Sequence, residues 1–201
     1  MTWRYPRQSP LAHLHLAARE TSETAAVTLC ERPPVSLAIL RGEARDSDFL
    51  EGTRRALGLA LPLVAGRSVR TGELCALWLG PDEWLLRGPE GADLVAPLHR
   101  ALAGVMHQAV EIGDARAVLG LAGGSARDVL LKGCSLDLHP TVFRAGGCAQ
   151  TLLGRVGVLI HLLTEDGPVF DLYVGRSHAD YLWRWLEDAA LEYGFAVAAE
   201  Q

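Results

Sequence analysis

The best apolar run in this chain, Val156 to Leu163 (VGVLIHLL), stops after eight residues and already contains a histidine. A membrane-spanning helix needs about 20 apolar residues. The fold must therefore be built from short elements that each bury one face. VSLAILR (35–41) reads as a β-rich strand. DSDFLEGTRRALGLALP (46–62) reads as a helix, with Phe49, Leu50, Thr53, Leu57 and Leu61 at helical spacing and Pro62 closing it. ELCALWLGPDEWLLRG (73–88) reads as two strands around the turn Gly80-Pro81-Asp82. GADLVAPLHRALAGV (91–105) reads as helical, with Pro97 in its first turns, and QAVEIG (108–113) as a strand. That order, β-α-β-β-α-β, is the split unit of ferredoxin-like folds.

The second part of the chain repeats the order of elements but not the residues. ARAVLGLAG (115–123) reads as a strand and SARDVLLKG (125–133) as a short helix. Ser125 and Asp128 form a variant of the capping box, and Gly133 suits the position after the helix end. Residues 148–175 hold two or three strands, with turns near Gly154–Gly157 and Glu165-Asp166-Gly167. SHADYLWRWLEDAALEYG (177–194) is the strongest helix pattern. Ser177 and Asp180 repeat the cap, and Leu182, Trp185, Leu186 and Ala189 form the apolar stripe. The expected architecture is α+β, two ferredoxin-like βαββαβ-type halves with antiparallel sheets and packed helices. The expected division is an extended N-terminal arm (1–34), a first half (35–114) and a second half (115–201), together one compact unit.

Chemistry is harder to find. Net charge is −5, with 24 acidic against 19 basic residues, which argues against nucleic acid. His13 and His15 break the apolar part of the N-terminus, so a signal peptide is not expected. Four cysteines at scattered spacings, none in a C-x-x-C pair, read as reduced cytoplasmic thiols. The stretch KGCSLDLHP (132–140) gathers Lys132, Cys134, Asp137 and His139, the groups of a nucleophilic site. A reactive thiol, however, needs a base in space and an electropositive pocket, which adjacency does not supply. A turn-and-packing role is expected instead. Asp82-Glu83 sits in a hairpin turn, where successive side chains point to opposite faces, and reads as solvated. Gly123-Gly124-Ser125-Ala126-Arg127 lacks the last glycine of a nucleophile elbow. No glycine-rich phosphate loop and no metal-ligand spacing appears. No catalytic, cofactor-binding or metal residue is assigned. Trp183, about 100° from Leu182 and off the stripe, is the single candidate partner contact. Its other reading is that it caps the edge of the chain's own core.

Several strings together resemble a known family: "LCERPPVSLAILRG", "ALWLGPDEWLLRGP", "ARDVLLKGCSLDLHPTVF", "CAQTLLGRVGVLIH" and "FDLYVGRSHADYLWRWLEDAA". They are similar to the gamma subunit of heterotetrameric bacterial sarcosine oxidase, from about Ser9 to Phe195. That family is related to the folate-binding domain of glycine-cleavage aminomethyltransferases. The resemblance implies membership of a complex with alpha, beta and delta subunits that oxidatively demethylates sarcosine to glycine. Oxygen becomes hydrogen peroxide, and the methyl carbon passes to tetrahydrofolate or leaves as formaldehyde. FAD, FMN, NAD, tetrahydrofolate and zinc are implied for the partner subunits, and a non-catalytic role for this chain. The aminomethyltransferases carry a Gly-Tyr-Thr-Gly-Glu hairpin; in the aligned stretch here, His161-Leu162-Leu163-Thr164-Glu165, the glutamate survives while the glycines and tyrosine do not, so no folate residue is carried over. A free-standing folate-dependent aminomethyltransferase-like enzyme and an orphan binding module of the same fold are the competing readings.

Overall fold

Two sheets stand face to face, each covered on its outer side by two helices. The computed structural model describes residues 8–16 and 25–198. The remainder of the N-terminal arm (1–7 and 17–24) lies outside the described residues. The first half contributes β2 (Ser36–Gly42), α1 (Ser47–Leu57), β3 (Ser68–Thr71), β4 (Leu74–Gly80), β5 (Glu83–Gly88), α2 (Ala96–Ala101) and β6 (His107–Glu111). Its sheet runs β3-β4-β5-β2-β6, antiparallel throughout. This is the expected split unit with one unexpected strand, β3, added at its edge. The second half contributes β7 (Arg116–Ala122), α3 (Ala126–Leu131), β8 (Cys148–Leu153), β9 (Val156–Thr164), β10 (Val169–Gly175), α4 (Ala179–Ala190) and β11 (Phe195–Val197). Its order is β11-β1-β7-β10-β9-β8, where β1 is Val27–Glu31.

Here the expected boundaries need correction. Residues 27–31 are not arm but a strand, antiparallel to β7 and parallel to β11. β1 thus takes the place beside β7 that β6 holds beside β2, and β11 is displaced to the edge. The chain crosses from one sheet to the other through Arg32-Pro33-Pro34, where proline supplies an extended link without a backbone donor.

Strand alternation sorts the side chains into three layers. Ala38 and Leu40 of β2 face outward to Phe49 of α1 and Leu98 of α2. Val158 and Ile160 of β9, with Leu172 and Val174 of β10, face Val129, Leu182 and Leu186 of α3 and α4. Leu37, Leu77, Leu85, Val118, Leu159 and Tyr173 fill the layer between the sheets.

The helices are shorter than their patterns suggested. α1 starts as expected, with Asp46 accepting from the Asp48 and Phe49 amides, but Gly58 turns left-handed (φ 65°) and ends it four residues before Pro62. Such a residue costs glycine little and terminates a helix. At α3, Ser125 makes no side-chain cap; the Gly123 carbonyl accepts from the Ala126 amide instead. At α4 a 3-10 turn over Arg176–His178 replaces the cap from Ser177, and Asp180 binds Arg184 and His13.

Candidate functional site

A group of buried and half-buried polar side chains lies between the sheets, centred on Asp171 of β10. Asp171 stands opposite His161 of β9 and Gly120 of β7. The Nε–H of Arg32 donates to its Oδ1 at 2.8 Å, and Nη2 of Arg87, from β5 in the other sheet, lies 4.0 Å from Oδ2. At 1% exposure this carboxylate is stable in the interior because it is paired. Burial alone would lower the Arg32 pKa, but attraction and hydrogen bonding to Asp171 outweigh it and raise the pKa overall. Gly120 makes the contact possible. A Cβ there would stand 2.4 Å from Cys30 Sγ and 2.9 Å from Arg32 Nε, so only a bare backbone lets the guanidinium lie across β7.

Around this pair the groups are chemically quiet. Burial pushes the His161 pKa down to about 4, so the imidazole is neutral near pH 7. Its Nε2 lies 2.9 Å from Ser68 Oγ, and Oγ lies 3.0 Å from the Gly146 carbonyl. A single hydroxyl proton donated to Gly146 leaves Oγ to accept, which assigns the imidazole proton to Nε2. Burial raises Cys75 to about 11 and Cys148 to about 12, and raises Cys30 and Tyr173 as well. Thiols held so far above neutrality are not nucleophiles. The cluster ties one sheet to the other; it offers neither an ionised thiol nor a charged imidazole to a substrate.

The residues singled out in the sequence are scattered by comparison. Lys132 donates to the Ala189 carbonyl, pairs with Glu192 and lies 4.7 Å over the Tyr193 ring. Cys134, 8% exposed, accepts from the Leu136 amide at 3.4 Å. Asp137 accepts from the His139 amide at 2.9 Å, and His139 Nδ1 lies 2.7 Å from Thr141 Oγ1. These are turn contacts, and among the described residues no hydrogen bond joins the thiol to the imidazole. Gly133 is where this stretch meets α4: a Cβ there would stand 2.4 Å from the Trp185 ring. Asp82 and Glu83 flank Arg41 in exposed ion pairs of 3.9 and 3.7 Å. Glu165 accepts from the Ala145 amide at 2.8 Å and lies 3.9 Å from Arg144, so it braces a turn. Among the described residues, no three His, Cys, Asp or Glu side chains are grouped as a metal would need.

Trp183 requires a correction. It is fully buried among the residues that join α4 to its sheet, and Trp185 takes the half-buried margin instead. The stripe is Ala179, Leu182, Trp183, Leu186, Ala189 and Ala190. With no exposed surface, the Trp183 side chain belongs to the chain's own core and offers nothing for a partner to touch.

Sequence reasoning did not find Asp171, Arg32, Arg87 or His161. A usable signal was present. In VFDLYVG, Asp171 falls at an inward position of a strand whose neighbours are all apolar, where a charge must be paired.

Comparison with known proteins covers nearly the whole chain. Residues 41–192 match the model of the sarcosine oxidase, gamma subunit family. A sarcosine oxidase subunit gamma from an Arthrobacter species is 33% identical over 197 residues, covering 96% of this chain and 94% of that one. Another, from Corynebacterium sp. strain P-1, is 34% identical over 188 residues, covering 93% and 91%. Among solved structures, a chain of the heterotetrameric sarcosine oxidase of Corynebacterium sp. U-96, in complex with pyrrole 2-carboxylate, superposes with a TM-score of 0.84 at 32% identity, covering 93% of this chain and 96% of that one. The glycine cleavage system aminomethyltransferase T of Bartonella henselae shares the fold (TM-score 0.62, 19% identity), with 98% of this chain matching 53% of that one. Matched almost end to end by these relatives, the chain belongs to the sarcosine oxidase gamma subunit family.

Proposed function

We propose that this chain is the gamma subunit of a cytoplasmic heterotetrameric sarcosine oxidase and is itself non-catalytic, supporting assembly and stability of the complex. Its partners are the alpha, beta and delta subunits, which hold FAD, FMN, NAD, tetrahydrofolate and zinc. The complex converts sarcosine, oxygen and water to glycine, formaldehyde and hydrogen peroxide, or passes the methyl carbon to tetrahydrofolate. The observation that carries this reading is the match along nearly the full length of both this chain and known gamma subunits. The chemistry of the interior agrees with it. The buried carboxylate is neutralised by arginine, the central imidazole is uncharged near pH 7, and the raised thiols are protonated.

The test is co-expression with alpha, beta and delta subunits of a sarcosine oxidase. The chain should co-purify with yellow, flavin-bearing partners, and omitting it should lower the yield of assembled enzyme. Stoichiometric flavin or tetrahydrofolate on the isolated chain would instead support the free-standing folate-dependent reading.

A further inference from the structure

The two sheets do not close on each other along their whole length. At one end they are tied by the Cys148 amide, which donates to the Gly66 carbonyl, and by Gln150 Nε2, which donates to the Leu79 carbonyl at 3.2 Å. Two residues further along β8 they have separated. Cys148 is fully buried, yet Leu152, on the same face, is 62% exposed. The gap is an open cleft of about 500 Å³ walled by Ile39 and Leu85 on one side and by Leu159 and the Tyr173 ring on the other, with Gln150 and Thr151 also lining it. Its cause lies in the sequence. Directly across from Leu152 in the β8–β9 pair is Gly157, whose missing side chain would have pointed into this layer and met nothing within 4 Å. Arg116 stands at the rim and also lines the adjoining smaller cleft, beside Arg32 and Arg176.

We propose that this cleft receives an apolar side chain from another subunit of the assembly, carried on a segment with a carboxylate placed to meet Arg116. The inference rests on the gamma-subunit reading above and deepens it by naming the docking face. The charge at the rim selects the partner's chemistry: the chain as a whole is acidic, but among the described residues the one charged side chain lining this opening is the Arg116 guanidinium. A small ligand fits the cleft less well, because few polar groups converge to orient one and Gln150 is already spent on Leu79. An apolar hole with a polar rim is the arrangement that anchor side chains fill at protein interfaces.

The experiment compares wild type, Leu152→Asp, Gly157→Trp and Arg116→Glu, each co-expressed with the other subunits, with the melting of each isolated chain measured in parallel. Leu152→Asp and Gly157→Trp should weaken association by about tenfold or more at unchanged melting. Arg116→Glu should weaken it less, and more so at low salt. Backbone amides from Gln150 to Val158 should exchange more slowly in the wild-type complex than in the free chain. This measurement decides the matter even if Gly157→Trp fails to fold. Wild-type association of Leu152→Asp with unchanged amide exchange overturns the proposal. So does a stoichiometric small molecule recovered from the cleft of the isolated chain. Failure of the wild-type chain to associate at all would instead sink the gamma-subunit reading, and this inference with it.

Discussion

Replacing Arg32 with alanine should harm this protein more than replacing the residue it binds. Asp171 is 1% exposed, and Oδ2 has no hydrogen-bond partner among the described residues. Without Arg32 the carboxylate would keep only Arg87, at 4.0 Å and beyond hydrogen-bond distance. Breaking a buried pair from the side that leaves the charge stranded costs about 3–5 kcal/mol. The opposite change, Asp171→Ala, leaves two guanidinium groups that are 19% and 20% exposed and can turn toward water. That loss should be nearer 1–3 kcal/mol. For a chain of this size each kcal/mol moves the melting temperature by roughly 2–4 °C. Arg32→Ala should therefore melt about 10 °C below wild type and Asp171→Ala about half as far below. The double variant should resemble Asp171→Ala, because removing the arginine matters little once the carboxylate is gone. Thermal and urea unfolding of the four proteins, followed by circular dichroism, measures this. Equal losses in the two single variants, or additive losses in the double, would refute the argument that a stranded carboxylate dominates.

Gly120→Ala should cost about 1–3 kcal/mol by forcing a methyl group against Cys30 and Arg32, and the cost should shrink in a Cys30→Ala background where the nearer clash is gone. Since the His161 pKa in the folded chain is about 4 against 6.5 unfolded, the unfolded state binds the extra proton between those values. Stability should be complete above about pH 6.5 and fall on the order of 3 kcal/mol toward pH 4. Urea titrations of wild type and His161→Gln across that range check this, and an identical slope in both proteins counts against it. Trp183→Ala should lower stability by about 3–5 kcal/mol as a core truncation, and complex formation should fail only where the chain itself has melted; assembly lost at unchanged melting would return Trp183 to the interface.

Most strands and helices were legible because alternation and helical spacing are local signals. VSLAILR and ELCALWLGPDEWLLRG alternate between two apolar faces or are apolar on both, and their glycine and proline turns punctuate them. β1 and β3 were not legible. VTLCE and SVRT are too short and too mixed to register alone, and each becomes a strand through a partner that proximity in sequence does not reveal. At Ser125 the helix starts where the sequence put it, but a backbone group does the work expected of the side chain; α1 ends early because Gly58 turns before Pro62 is reached. Trp183 was left off the buried stripe for a related reason. Alanines at 179 and 190 extend the buried stripe toward it, and small side chains carry little weight in a pattern drawn from large ones. The polar junction was invisible because its members are brought together from both sheets and the crossover between them, which only the packed structure does. The family strings, by contrast, were legible without any geometry.

The position of β1 sets a timetable for synthesis. The first sheet, β2 to β6, contains every partner it needs by Glu111, so it can form as soon as that stretch has left the ribosome. β1 emerges before all of it and must wait, since its pairing residues on β7 begin at Leu119 and those on β11 at Phe195. Pairings this distant form slowly, and an apolar strand without a neighbour is exposed to the wrong one in the meantime. A chain terminated anywhere before Phe195 would carry an unpaired outer edge on the very strand that was made first. Stalled or truncated copies should therefore aggregate through Val27–Glu31, whereas copies with a complete C-terminal segment keep that edge covered.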